Sequence, residues 1–186
     1  MQREDLCFSE ISQHRLLTEF YLESELEISE DWTKTSGVFL SEAIFIANNN
    51  DIADINCTNP NKNSLMNKCD IRINHDFKSS AQGLKMIGAY SLSHRFGVTV
   101  LDYIAVKQDA RQNGLGSVIL SRIKEKCKEL GVEKIYLTAK ARGFFLKNGA
   151  KEISDTLPLY GKLLGDCAEC PQREKGCFPS VMEIEI

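Results

Sequence analysis

The stretch Arg111-Gln112-Asn113-Gly114-Leu115-Gly116 constrains this chain more than any other. It stands between a strand-like run, Val98 to Val106, and an amphipathic helix-like run, Leu115 to Leu130. Glycine lets the backbone turn sharply and approach a ligand closely. The first N–H groups of a helix have no intrahelical partner, and they carry the positive end of its dipole. Strand, glycine turn and helix N-terminus in that order make a cradle for phosphate. A Gly-x-Gly pair is a weak signal alone, and a purely structural turn also explains it. Its context strengthens it: the strand ends in Ile104-Ala105-Val106, and Arg111, at the turn, offers a charge-assisted contact to phosphate.

A chain of 186 residues fits one domain with room for a buried core. The net charge of −3 gives no general reason to expect nucleic-acid binding. The N-terminus lacks the apolar run of a signal peptide, and no stretch approaches the roughly 20 apolar residues that cross a bilayer. These features predict a cytoplasmic protein away from membranes. In that compartment the seven cysteines are expected as thiols or metal ligands rather than disulfides.

After a short first strand, Leu16, Leu17, Phe20 and Leu26 recur at helical spacing within residues 1–35. The acidic residues at 23–31 read as a solvated face, with a basic substrate as the sharper alternative. Residues 36–47 are an apolar run that periodicity alone does not resolve; the reading taken is a helix. The Asn-rich segment 48–64 reads as a loop. Alternation then predicts strands at Cys69 to Asn74, Leu84 to Leu92 and Val98 to Val106. A helix follows, with Leu115, Val118, Ile119, Ile123, Cys127 and Leu130 on one face and Gly131 as its stop. A strand at 135–138, a helix at 139–148, a strand at 150–154, an irregular stretch and a last strand at 181–186 complete the chain. Strands that meander and then alternate with helices predict a mixed α/β fold.

The segment IAVKQDARQNGLGSVIL resembles the acetyl-CoA signature of the GNAT (Gcn5-related N-acetyltransferase) superfamily. There a strand ending in apolar-x-Val leads into (Gln/Arg)-x-x-Gly-x-(Gly/Ala) and a helix; Arg111, Gly114 and Gly116 occupy the motif positions. Ala141 to Ala150 is similar to the family's Ala-x-x-Phe-Tyr-x-x-x-Gly-Phe block, and the resemblance spans about residues 69–154. It implies a GNAT-like fold, a central, mostly antiparallel twisted sheet flanked by helices, as a single domain over 1–186 with a Cys-rich segment at 165–180. It implies acetyl-CoA as cosubstrate, with the pantetheine arm along Ile104, Ala105 and Val106. The pyrophosphate would lie on Arg111 and the N–H groups of Gln112, Asn113, Gly114, Leu115, Gly116 and Ser117. The implied reaction is direct transfer of acetyl to the primary amine of a small molecule, and the sequence leaves a homodimer open. Leu137-Thr138-Ala139 with Phe144-Phe145 resembles the N-acetylglutamate-synthase-like branch, which acetylates small amines such as amino acids. A GNAT-type toxin acting on aminoacyl-tRNA is disfavoured by the acidic charge.

Asp102 is the candidate catalytic base. Strict alternation puts it on one face with Val98, Val100, Ile104 and Val106. A carboxylate on an apolar face either has a hidden partner or a raised pKa suited to base work; family members often carry an acidic residue at this position. The alternative is an Asp that orders the neighbouring loop. Phe145 departs from the family, since many members have there a tyrosine that protonates the departing thiolate. Tyr160, Ser117 or water would then do that work, or the chain would be a non-catalytic acetyl-CoA-binding sensor or interaction protein. Cys167, Cys170 and Cys177 form a Cys-x2-Cys-x6-Cys pattern. Its first pair has metal-ligand spacing, which predicts zinc or an iron–sulfur cluster with Cys57, Cys69 or His75 as candidate fourth ligand. Redox-active thiols and inert packing are the alternatives. Cys7 and Cys127 read as structural.

Overall fold

The computed structural model describes residues 6–10, 14–24, 26, 38–47, 57–58, 67–69, 84–168, 170, 173 and 175–186. In chain order its strands are β1 (Leu6–Glu10), β2 (Val38–Ala47), β3 (Cys57–Thr58), β4 (Asn67–Cys69), β5 (Leu84–Arg95), β6 (Val98–Val106), β7 (Lys134–Ala139), β8 (Lys151–Glu152) and β9 (Ser180–Glu185). Its helices are α1 (His14–Glu23), α2 (Leu115–Glu129), α3 (Arg142–Lys147) and α4 (Pro158–Ala168). The strands make one sheet in the order β3-β4-β1-β2-β5-β6-β7-β9-β8. Pairing is antiparallel except for β1–β4 and β6–β7. This is the expected mixed α/β architecture, a mostly antiparallel sheet flanked by helices. Among the described residues no helix is long and apolar enough to cross a membrane.

The two faces of the sheet are covered by different helices. The apolar stripe of α2 (Leu115, Val118, Ile119, Ile123, Cys127) packs with Ile44, Leu92, Leu101, Ile135, Leu137 and Ile184 in the main core. A smaller cluster on the other face joins Val100, Ile153 and Val181 to Leu163 of α4. α1 is anchored through Tyr21, whose hydroxyl shares a 2.8 Å hydrogen bond with Ser91 on β5; Ser91 in turn meets Ser41 on β2 at 2.8 Å. Gly88 lets α2 come this close, because a Cβ there would stand 2.8 Å from Ile119 Cδ1 and 3.3 Å from Ala105 O.

Three sequence expectations change. Where it is described, the apolar run expected as a helix is a strand, β2 (Val38–Ala47), paired on both edges by β1 and β5. Covered on both faces, such a strand loses the polar alternation that marks a strand. The stretch after 154 is not all irregular, because α4 occupies Pro158–Ala168. Its Pro158 fills the first helical position, where a missing N–H costs nothing. The strand expected over 69–74 is described only as β4, Asn67–Cys69; residues 70–83 lie outside the described set, as do 48–56 and 27–37.

The strict alternation along β6 also fails, at one residue. Leu92 pairs with Leu101 and Ser91 with Tyr103, which leaves Asp102 as an extra residue without a register partner on β5. Such a bulge reverses the facing of everything beyond it. Val98 and Val100 therefore lie with the α4-side cluster, whereas Ile104 and Val106 pack against the α2-side core. Asp102 does not share one face with all four.

Candidate functional site

β6 and β7 are paired in parallel only at Thr99↔Ile135 and Val100↔Tyr136. Past that point β6 bulges, the ladder ends and the strands part. A cavity of about 690 Å³ fills the opening, a volume suited to a cofactor-sized ligand. β6 forms one wall through Asp102, Tyr103, Ile104 and Val106. The end of β7 and α3 form the opposite wall, with Leu137, Phe144 and Phe145 among its residues. Ser24 and Leu26, at the end of α1, close it from above the sheet.

The glycine turn and the first turn of α2 border the same cavity through Arg111, Gln112, Gly114, Leu115, Gly116 and Ser117. Gly114 is the N-cap, with φ +74°, and no side chain caps the helix. The first bonds of the helix run from the N–H groups of Ser117 and Val118 to Gly114 O. The N–H groups before them are left for a ligand, and the first turn carries no acidic residue. A Cβ on Gly116 would stand 3.1 Å from the Phe144 ring, so the cradle is shaped by the absence of a side chain. Arg111 donates from Nε to Val106 O at 3.0 Å and from Nη2 to Ser24 O at 3.3 Å, tying the turn to β6 and α1. These features fit a pyrophosphate-bearing ligand. Of the residues expected to hold acetyl-CoA, only Ala105 and Asn113 stand outside the lining. Ala105 is buried against β5, and Asn113 is exposed.

Asp102 lines the cavity with its side chain 4% exposed, and its Oδ1 meets Arg95 Nη2 at 2.6 Å. Arg95 was not singled out by the sequence. It ends β5 beside the turn Phe96-Gly97, and only the hairpin and the bulge bring it to Asp102. Tyr103 stacks on Tyr21 of α1, with ring centroids 5.1 Å apart. Burial first, then the neighbouring Tyr103 and Asp102 charges, push the Tyr21 phenol above its ordinary range, while its bond to Ser91 works the other way.

Among the residues proposed to replace the tyrosine hydroxyl, Ser117 borders the cavity. Tyr160 packs in the cluster beneath α4 and does not. Phe145 lines the cavity and is only 5% exposed. Thr138 spends its hydroxyl on Leu163 O at 3.2 Å. The Ser24 hydroxyl is buried at the cavity wall with no hydrogen-bond partner among the described residues. Serine at the end of a helix carries no pattern that would have marked it.

The metal expectation finds no support among the described residues. Among the described residues no three His, Cys, Asp or Glu side chains converge on a metal position. Cys167 still belongs to α4, Cys170 follows its end, and Cys177 comes after a turn at Gly176 with φ +84°. Cys57, Cys69 and His75, the fourth-ligand candidates, have side chains outside the described set. Cys127 is fully buried, and burial pushes its thiol up to about 11, consistent with packing. Of the acidic alternatives at 23–31, Glu23 is described; it pairs with Lys107 at 3.0 Å.

Residues 80–150 match the Acetyltransferase (GNAT) family. The chain is 27% identical over 98 residues to an uncharacterized N-acetyltransferase of Chlorobaculum tepidum; the match takes in 53% of this chain and 60% of that relative's length. In fold it is similar to an IAA acetyltransferase from Bacillus cereus, with a TM-score of 0.59 and 16% identity over 97% of this chain and 99% of that one. It is also similar to N-acetylglutamate synthase from Neisseria gonorrhoeae, solved with coenzyme A and N-acetyl-glutamate, with a TM-score of 0.55 and 12% identity over 97% of this chain and 35% of that one. The glycine cradle on α2 and the parting of β6 from β7 both lie within residues 80–150, the stretch that matches the GNAT family, and the fold is similar to that of the solved acetyltransferases.

Proposed function

We propose that the chain, read as one domain over 1–186, is an N-acetyltransferase that moves acetyl from acetyl-CoA to the primary amine of a small molecule by direct attack. The observation that carries this reading is the single cavity wall that joins an open helix N-terminus at Gly114–Gly116 to a buried carboxylate, Asp102. Acetyl-CoA supplies the activated acyl group. The N–H groups of the turn and Arg111 hold its pyrophosphate. The edge of β6 beyond Val100, released from β7, offers backbone groups to the pantetheine amides as a further strand would. A backbone N–H near Ile104 or Val106 polarises the thioester carbonyl. Asp102 accepts hydrogens of the acceptor amine, directly or through water, so that a neutral nitrogen attacks.

Phe145 offers no proton to the departing thiolate. A thiol pKa near 8–9 makes that thiolate a tolerable leaving group, so water or the Ser117 hydroxyl suffices. The short Leu137-Thr138-Ala139 and Phe144-Phe145 match, beside a fold shared with a synthase solved with N-acetyl-glutamate, favours amino acids and related small amines as acceptors.

The test is release of CoA thiol from acetyl-CoA across a panel of amines that includes glutamate and other amino acids. Turnover with at least one amine, lost by about 100-fold or more in Asp102→Asn, is expected. Tight acetyl-CoA binding with no turnover on any amine would leave the sensor reading in its place.

A further inference from the structure

Asp102 is the bulge residue of β6, so the ladder does not fix its side chain. What meets it is Arg95, from the other arm of the hairpin. The turn between them is tight: Phe96 and Gly97 have φ of +56° and +79°, and Arg95 pairs with Val98 across it. Arg95 Nη2 stands 2.6 Å from Asp102 Oδ1, with the two side chains 19% and 4% exposed. The guanidinium also rests on the Phe96 ring, 5.8 Å from its centroid, and Lys162 of α4 approaches the same ring at 5.9 Å.

Among the described residues, the other titratable groups shown beside Asp102 are phenols, which carry no positive charge as Arg95 does. Tyr21 from α1, whose phenol burial keeps protonated, has its hydroxyl engaged with Ser91 and its ring stacked on Tyr103 of β6. The apolar wall nearby is Leu101 and Leu137. A carboxyl this buried without a cation takes up a proton. A protonated carboxyl neither attracts an ammonium group nor accepts a hydrogen from it.

We propose that Arg95 is a positioning residue for the acceptor end of the cavity: its ion pair holds Asp102 as an anion aimed at the incoming amine. This rests on the reading of Asp102 as the group that receives the amine hydrogens. Arg95 itself does not line the cavity and acts only through Asp102. The hairpin turn is then part of the active site, since its geometry sets where the guanidinium stands.

The experiment compares Arg95→Gln, Arg95→Lys and Asp102→Asn with the wild-type enzyme by kcat/KM against pH, on an amine found in the panel above. An opposite charge favours the ionised carboxyl, so its removal moves the acidic limb of the profile upward, here by about one pH unit. Arg95→Gln shows that shift with acetyl-CoA affinity retained, and Arg95→Lys returns most of it. A uniform fall in kcat/KM at every pH, with the limb unmoved, overturns the proposal, because a merely structural arginine behaves that way. Asp102→Asn at the wild-type rate instead removes the reading of Asp102, whatever Arg95 does. Should Arg95→Gln fail to fold, or no amine turn over, NMR titration of the Asp102 carboxyl in the wild-type protein decides. A carboxylate still ionised at about pH 6 agrees with the proposal, and a protonated one overturns it.

Discussion

Ser24 illustrates how one side chain at the cavity wall separates folding from binding. Its carbonyl accepts from Arg111, yet its hydroxyl is buried without a partner among the described residues. A buried hydroxyl left unpaired costs about 1–3 kcal/mol, so such a group calls for a bound species that satisfies it. Its place beside Arg111 and Val106 puts it along the stretch assigned to the pantetheine arm. Ser24→Ala is therefore expected to leave the melting temperature of the free protein unchanged or raised. Its dissociation constant for acetyl-CoA should rise about fivefold, the worth of one hydrogen bond of about 1 kcal/mol. Calorimetric titration and a thermal melt read both quantities. A variant that melts earlier but binds normally would assign the hydroxyl to the fold instead.

At the scale of elements, the join between α2 and α3 sets the mouth of the cradle. Gly116 meets Phe144, whose ring lies edge-on to Phe145 at 4.9 Å. A methyl group at Gly116 would require that ring to shift by a few tenths of an ångström, toward space the ligand needs. Gly116→Ala should fold, since alanine is a better helix former than glycine. Its KM for acetyl-CoA should rise about tenfold, or ~1.4 kcal/mol, with kcat little changed. An unaltered KM would show that the ring yields freely and that the glycine is not needed for binding. The strand–turn–helix here was legible in the sequence because each part leaves a mark: β-branched alternation, glycines where φ turns positive, and an apolar stripe at helical spacing. The bulge at Asp102 leaves none, since one extra residue changes no composition, and so the partner Arg95 was not legible either. β2 was misread because burial on both faces erases the alternation that identifies a strand. α4 did announce itself, through Pro158 and the apolar Leu159, Leu163 and Leu164, but Gly161 and Gly165 weaken that signal.

Across the whole molecule, the half that carries the cradle must be held to the sheet contributed by the N-terminal half, and one buried carboxylate bonds the two together. Glu42 on β2 receives the Tyr90 hydroxyl at 2.8 Å and both arms of Arg122 of α2 at 2.9 Å, with Lys126 at 3.9 Å. Burial alone would lower the Arg122 pKa, but the bonds and charge of Glu42 outweigh it and hold it above its ordinary value. Burial likewise drives the Tyr90 phenol up, so Tyr90 remains a donor. The sequence hid this network because Glu42 sits inside an apolar run and its partners are about 50 and 80 residues away. Replacing a buried pair by apolar groups is often near neutral, whereas removing one partner strands the other charge. Glu42→Gln is accordingly expected to lose about 3 kcal/mol of stability, and Glu42→Met with Arg122→Met less than Glu42→Gln alone. Urea denaturation should show the midpoint falling at constant slope. If the single variant loses less than about 0.5 kcal/mol, in the range of an ordinary surface change, the two halves are joined by apolar packing of α2 on the sheet and not by this carboxylate.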